Sequence, residues 1–350
     1  MNVQGREDPG PSLPRGGAVL VKCHYVGVDV GAKELVVSID RNGSRESGRV
    51  FTNDAGGHRK LIRWATKQGA TARVVLESTG VYGLDLAFAL QRAKRVEVMV
   101  ANPRAIAAFA KASLQRSKTD ALDAETILEF SMRMPFVPWV PPDPSILELR
   151  ALSRRIEAMS KTATQEKNRL HANEQSQELS DFVKEDIREL AELLEGRIER
   201  LRKQALLVIE QSPELANAFG HLTSIKGIAD AAGIQLLAEL GTLPQDMTTR
   251  QWVAHAGLDP RQHQSGTSVH KPARISKTGN AHLRRALFLP AMAASRWEPN
   301  VKAFYEKLLA KGKTKMQALI AVMRKLLHAI HGMLRHDRDF DGQKFFAVRG

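Results

Sequence analysis

Residues 25–39, YVGVDVGAKELVVSI, constrain the fold most. Val26, Val28 and Val30 alternate with Gly27, Asp29 and Gly31, and a period of two in β-branched residues signals a strand. The stretch reads as a strand, a tight turn at Gly31 and a second strand paired with the first. A carboxylate in the middle of such a strand needs a reason, because desolvating a charge is costly unless it is paired or binds a metal. Asp29 is therefore either a residue on a solvated strand face or a metal ligand on the first strand of a nuclease-type sheet.

Arg41-Asn42-Gly43-Ser44 reads as a hairpin turn, since Asn-Gly accepts the positive φ angles such turns require. Arg45–Thr52 is then a third strand, and Asn53 or Asp54 can cap a helix running to about Gln68. Arg73–Glu77 is a short apolar run of the buried-strand type that ends in Glu77. Val81–Arg92 is helical, Val96–Val100 is another buried strand, and Ala105–Leu114 is helical. A β-meander followed by interleaved helices and strands is the order of a ribonuclease-H-like α/β domain. The next helix opens within Ser117–Glu125 and runs to about Arg133. Asp120 and Asp123 lie three apart and share a face of it. They either suit the dipole of a first turn or form a ligand pair for a divalent cation.

Pro135–Pro144 (PFVPWVPPDP) is a Pro-rich hinge. From Ile146 to about Gln211 the chain is helical and charged, interrupted near Gln175–Ser180. That gives a long antiparallel helix pair, either a folded-back hairpin or a coiled coil for dimerisation. Leu222–Leu240 reads as a helix-hairpin-helix whose turn at Gly227 offers backbone N–H groups to phosphates, or as a plain helical hairpin. Thr249–Ala256 is a short helix. Arg261–Ser268 is a polar Ser-Gly loop flanked by Arg261, Lys271, Arg274 and Lys277, either a phosphate-handling site or a solvated loop. Helices over Ala281–Arg296 and Lys313–Arg335 follow.

The 350 residues carry 52 Lys+Arg against 38 Asp+Glu, a net charge of +14. That excess points to a polyanionic partner, nucleic acid first. The single cysteine, Cys23, excludes a disulfide framework and a Cys-based zinc site. No apolar run reaches the about 18 residues that span a bilayer, and Met1–Gly17 lacks the apolar centre of a signal peptide. A cytoplasmic protein with no membrane partner and a disordered leader over 1–20 is expected.

GVDVGAKE, LESTGVYG, NPRAIAAFAKASLQRSKTDALDAE, and GLDPRQHQSGTS with ISKTGNAHLRRAL resemble, in that order and separation, the DEDD-type transposases of the insertion sequence one-ten family. The resemblance covers about Tyr25 to Leu334. It implies an α/β ribonuclease-H/RuvC-like amino-terminal domain (21–135), a long helical coiled-coil linker (136–215), a mostly α carboxy-terminal transposase domain with a helix-hairpin-helix (216–338) and a tail (339–350). It further implies an RNA-guided DNA recombinase: a structured non-coding bridge RNA pairs with target and donor DNA, and the protein acts as a homo-oligomer, a dimer or tetramer. The family's carboxylates fall on Asp29, Glu77, Asp120 and Asp123, which would hold Mg²⁺ or Mn²⁺. Its essential serine falls on Ser265, with Ser268 and Ser276 as weaker alternatives. Strands would be cut and rejoined through a phosphoserine. The nucleic-acid contacts expected are Lys118, Lys226, Gly227, Arg261, Lys271, Arg274 and Lys277. Ala229 departs from the family, which commonly has glycine there. Two rival classes stand beside this reading: a metal-dependent junction resolvase or nuclease that uses water, and a non-catalytic nucleic-acid-binding scaffold.

Overall fold

The computed structural model describes residues 23–77, 80–113, 119–175, 180–265 and 269–347, with the side chains of 262–273 outside the description. The expected leader, Lys118 and Ser268 therefore lie outside the described residues, as do the side chains of Ser265 and Lys271. The chain divides into two compact units, Met1–Pro141 and Pro142–Gly350.

The first unit is a five-stranded mixed sheet. Strands β1 (Cys23–Val30), β2 (Glu34–Arg41) and β3 (Ser44–Thr52) form the meander. Helix α1 (Ala55–Ala65), β4 (Thr71–Glu77), α2 (Leu84–Gln91), β5 (Val96–Ala101), α3 (Pro103–Ala112) and α4 (Asp120–Arg133) follow. The strand order is β3-β2-β1-β4-β5. The meander strands pair antiparallel, while β1, β4 and β5 run parallel, because crossovers through α1 and α2 return the chain to the same edge. Asn42 and Gly43 take positive φ angles of 55° and 92° in the first hairpin. The Asp54 side chain caps α1 by accepting from the Gly57 N–H at 2.8 Å.

The two-residue period assigns side chains to faces. Val26, Val28, Val30, Val74 and Leu76 pack with Leu61, Trp64, Leu86 and Leu90 under α1 and α2. Val75 and Ala101 point the other way and meet Ile106, Ile127 and Phe130 of α3 and α4. Burial of each leucine contributes about 1.5–3 kcal/mol relative to exposure, and a one-residue slip of register would turn the whole set outward. By the same parity Gly27, Asp29 and Glu77 lie on the α4 side.

The second unit begins with α5 (Pro144–Glu174) and α6 (Asp181–Glu210). Asp143 caps α5 and Pro144 holds its first position, the preferred place for proline. The two helices fold back on each other within the chain: Met159 and Ala163 meet Leu194, with Ile198 and Leu201 alongside, and Lys167 pairs with Glu195. Helix α6 also presents a second, exposed apolar row of Phe182, Val183, Leu190, Leu193 and Leu207.

Then come α7 (Pro213–Thr223), α8 (Asp230–Leu240), α9 (Thr249–His255), β6 (Pro260–Ser265), β7 (Val269–Ile275), α10 (Ala281–Ala286), α11 (Phe288–Trp297), α12 (Pro299–Ala310), α13 (Lys315–Arg335) and α14 (Gly342–Phe345). Val322, Leu326, Leu327 and Ile330 of α13 are fully buried at the centre of this unit. Three sequence readings change. The expected loop from Arg261 contains strand β6, antiparallel to β7. The expected helix Ala281–Arg296 breaks at Leu287, where Pro290 has no N–H to offer the Ala286 carbonyl. The segment 339–350 read as a tail carries α14, whose Phe345 is buried in the core. No helix among the described residues is long and apolar enough to cross a membrane.

Candidate metal centre and serine hairpin

The carboxylates of the first unit are brought together by one close contact. A β-carbon on Gly27 would lie 2.2 Å from the Leu128 backbone nitrogen and 2.4 Å from the Ala124 carbonyl oxygen. Helix α4 thus lies directly on the β1 backbone, closer than any side chain permits. Two residues along the same strand face is Asp29, and the amino end of α4 hangs over it. Thr119 caps that end by accepting from Leu122 N–H at 3.3 Å, so Asp120 and Asp123 occupy the first turn. Carboxylate oxygens of Asp29, Asp120 and Asp123 all lie within 4.8 Å of one another. Glu77 ends β4, one step past the last β1–β4 pair at Val28 and Leu76, and its charge also reaches Asp29.

Burial, and then the charges of Asp123, Asp120 and Glu77, push the Asp29 carboxyl above the ordinary carboxylate range; the Val30 N–H opposes this in part. Among the described residues none of Asp29, Asp120 and Asp123 forms a salt bridge. Converging hard oxygen donors of like charge suit a divalent cation that takes carboxylates and water. Neither thiol nor imidazole takes part in the cluster.

In the second unit, β6 and β7 form the hairpin that carries Ser265, the last β6 residue, opposite Val269. Its foot is fixed on both strands. Ser276 N–H donates to the Asp259 carbonyl at 2.8 Å, Lys277 N–H to Gly257 at 3.1 Å and Asn280 N–H to His255 at 2.6 Å. The Ser276 hydroxyl donates to Asp259 Oδ1 at 2.6 Å, which gives that serine a structural task at the hairpin foot. Arg261 lies opposite Arg274 in the register, and both are exposed, as is Lys277. Like charges directly across a ladder repel, so this pair suits a polyanion.

A residue that sequence reasoning passed over anchors the hairpin. Glu239 on α8 is 1% exposed. It accepts from Arg154 Nε at 2.8 Å and Nη2 at 3.1 Å, and from Asn280 Nδ2 at 2.6 Å; Arg150 stands 3.6 Å away. Asn280 in turn caps α10. Burial raises the Glu239 pKa, but the bonds from Arg154 and Asn280 and the two Arg charges outweigh it and hold the carboxyl below its usual range.

Helices α7 and α8 are joined through Ile225 and Ile228, both buried, with Lys226 and Gly227 exposed between them. Gly227 has φ +114° and its α-carbon abuts α11, so a side chain there would be strained twice over.

The profile of the transposase family DEDD_Tnp_IS110 matches residues 26–175, and that of the Transposase IS116/IS110/IS902 family matches residues 220–306. A pilin gene-inverting protein of Moraxella bovis is 30% identical over 322 residues, 91% of this chain and 97% of that protein. Its Moraxella lacunata counterpart is 31% identical over 322 residues, with the same shares covered. The chain belongs to this transposase family. An uncharacterized protein of insertion element IS110 from Streptomyces coelicolor is 34% identical over 114 residues, 33% of this chain and 28% of that one. The family transposase is thus a DNA transposase or recombinase, which sets aside the non-catalytic scaffold. All four carboxylates lie in the first matched region and Ser265 in the second.

Proposed function

We propose that this transposase cuts and rejoins DNA strands through a phosphoserine at Ser265, with Asp29, Glu77, Asp120 and Asp123 as a metal-binding set on a RuvC-like unit. The observation that carries the reading is the convergence of Asp29, Asp120 and Asp123 within 4.8 Å. The order β3-β2-β1-β4-β5 with β2 antiparallel supports the RuvC-like assignment. On this reading the functional domains are 21–135, 136–215 and 216–338.

The four carboxylates would hold Mg²⁺ or Mn²⁺, which supplies charge neutralisation at the scissile phosphate and activation of the attacking hydroxyl. Ser265 Oγ attacks phosphorus as its proton passes to a base, since serine is a weak nucleophile unless activated. A P–O bond to DNA breaks as the P–O bond to serine forms, and the leaving strand keeps a 3′ hydroxyl. A 3′ hydroxyl of another strand then displaces the serine. Bond energy is retained, so no ATP is consumed. Lys118, Lys226, Gly227, Arg261, Lys271, Arg274 and Lys277 bind backbone phosphates, and binding weakens steeply with salt. Sequence choice falls to a bridge RNA that pairs with target and donor DNA. The exposed apolar row of α6 supports a homo-oligomer, a dimer or tetramer, working in the cytoplasm.

The two Moraxella relatives are named for inverting a gene, a rearrangement in which every cut strand is rejoined. This favours strand transfer over hydrolysis. Purified protein, guide RNA, end-labelled target and donor DNA and Mg²⁺ are run on a denaturing gel. A labelled band carrying the protein's mass, absent in Ser265→Ala and in Asp29→Ala, is expected. Cleaved DNA without attached protein would replace the phosphoserine by water.

A further inference from the structure

Far along the chain from both sites, α13 and the segment after it enclose a cavity of about 250 Å³. Lys325, His328, Gly332 and Met333 line it from the helix; Arg338 and Lys344 line it from the following segment. Lys325, on its wall, is half-buried. The ammonium lies 4.4 Å from the ring centre of Phe304, 5.1 Å from Phe345 and 5.5 Å from Phe346. Lys307 sits 5.0 Å from the ring centre of Phe346. Among the described residues neither Lys325 nor Lys307 forms a salt bridge.

Contact with aromatic faces offsets part of the cost of desolvating Lys325. The residual cost shows in its pKa, lowered by burial and then by Lys307. The neighbouring His328 is also lowered, by burial and then by Arg324, His331 and Lys325. Lys344 pairs with Asp341 at 3.6 Å, while Lys325 and Arg338 form no salt bridge among the described residues, and a desolvated cation of that kind gains from an anion.

Each acid that lines the cavity already has partners within the chain, Asp341 its pair with Lys344. Asp341 caps α14, accepting from the Gln343 and Lys344 N–H groups at 2.9 and 3.2 Å. Asp339 meets His221 Nδ1 at 2.8 Å, and Asp337 meets Nε2 of the same ring at 3.0 Å. The bonds to Asp337 and Asp339 raise the His221 pKa. These bonds, with Phe340 N–H donating to Ser224 Oγ at 3.0 Å, hold the segment in place over α7. The cavity is smaller than the about 300–1,000 Å³ of drug-sized ligand sites and matches a single phosphate with part of its sugar.

We propose that this cavity is a phosphate-binding site for a nucleic-acid backbone, contacted by Lys325, His328, Arg338 and Lys344. It rests on the strand-transfer reading above for its ligand class and adds a contact region outside the helix-hairpin-helix and the serine hairpin. Phosphate contacts position a strand without reading its sequence.

The test is salt-dependent binding of fluorescein-labelled duplex DNA and, separately, labelled single-stranded RNA to the full-length protein. Lys325→Met keeps the contact with the phenylalanines and removes the charge. Lys344→Gln and Arg338→Gln remove charge at exposed positions of the same cavity, and carry the test if Lys325→Met lowers the melting temperature. Lys302→Gln, exposed and paired with Glu306 at 3.9 Å, is the control. Each charge removed is expected to weaken binding about 3- to 10-fold and to reduce the salt slope by about 0.9 for duplex DNA or about 0.7 for a single strand. The polymer that responds names the source of the phosphate. Wild-type affinity and slope in the cavity variants, or an equal loss in Lys302→Gln, would overturn the proposal. Failure of the wild-type protein to form the Ser265 adduct would instead count against the strand-transfer reading and leave this comparison intact.

Discussion

Asp29 and Glu239 are both carboxylates withdrawn from water, and their surroundings have opposite sign. Glu239 is met by Arg154, Arg150 and Asn280, and its pKa is held low. Asp29 is met by Asp120, Asp123 and Glu77, and its pKa is driven up. A buried charge is tolerated when its partners are built in, as at Glu239. At Asp29 the described residues gather further charge of the same sign, surroundings that suit a cation. On the proposed reading, the contrast separates a carboxylate that serves stability from one that serves chemistry.

Function should divide them most sharply. Asp29→Ala or Asp123→Ala is expected to lower strand cleavage by about 10³-fold or more, because a metal contributes several kcal/mol to such a step. Glu239→Ala should leave the metal site unaltered. Single-turnover cleavage with saturating protein checks both, and near-normal cleavage by Asp29→Ala would remove the metal centre from the account.

Stability should divide them the other way. Glu239→Ala leaves Arg150 and Arg154 without their shared acceptor, at a cost of about 3 kcal/mol, a fall in melting temperature of roughly 6–12 °C. Because the folded Glu239 pKa lies below its unfolded value, its contribution is present above about pH 4.3 and is lost as pH falls through the folded value. Melting curves taken from neutral to acid pH should therefore converge for wild type and Glu239→Gln.

Gly27→Ala forces a β-carbon into the α4 backbone. Overpacking of this kind costs about 1–3 kcal/mol, and here it moves Asp120 and Asp123 away from Asp29. Cleavage should fall further than the melting temperature alone accounts for; a purely thermal defect would deny the contact its role in assembling the site.

The smallest effect has an unusual sign. A raised folded pKa means that Asp29 favours folding below its unfolded pKa, and that this advantage is lost as pH rises through the folded value. Asp29→Asn in metal-free buffer at pH 7 should then melt slightly above wild type, by a few tenths of a kcal/mol for each like-charge pair relieved. A lower melting temperature would show that the cluster is already compensated within the chain.

Much of the first unit was legible because its signals are local. Alternation in Val26–Val30, Asn42-Gly43, the apolar run ending at Glu77 and the helix opening within Ser117–Glu125 each follow from neighbouring residues. Gly27 was visible as a residue, but its role depends on a helix about one hundred positions later. Glu239 was hidden for the same reason: within LLAEL it looks like an ordinary helical acid, and Arg154 and Asn280 lie 85 and 41 positions away. The β6 strand, PRQHQS, has no β-branched residue, so propensity argued for a loop, and it is pairing with β7 that makes it a strand. Pairing of α5 with α6 within the chain was one of two readings open to imperfect heptads. In the structure the two helices meet within the chain through Met159, Ala163 and Leu194.

The most direct test of the metal centre is calorimetric titration of Mg²⁺ into full-length protein with duplex DNA present, in wild type and in Asp29→Asn. The account predicts a saturable binding event in wild type that disappears in Asp29→Asn, with the melting temperature of wild type rising as Mg²⁺ is added and that of the variant unmoved. Equal binding by both proteins would contradict it, and Asp29 would then be a strand residue that happens to lie near other acids.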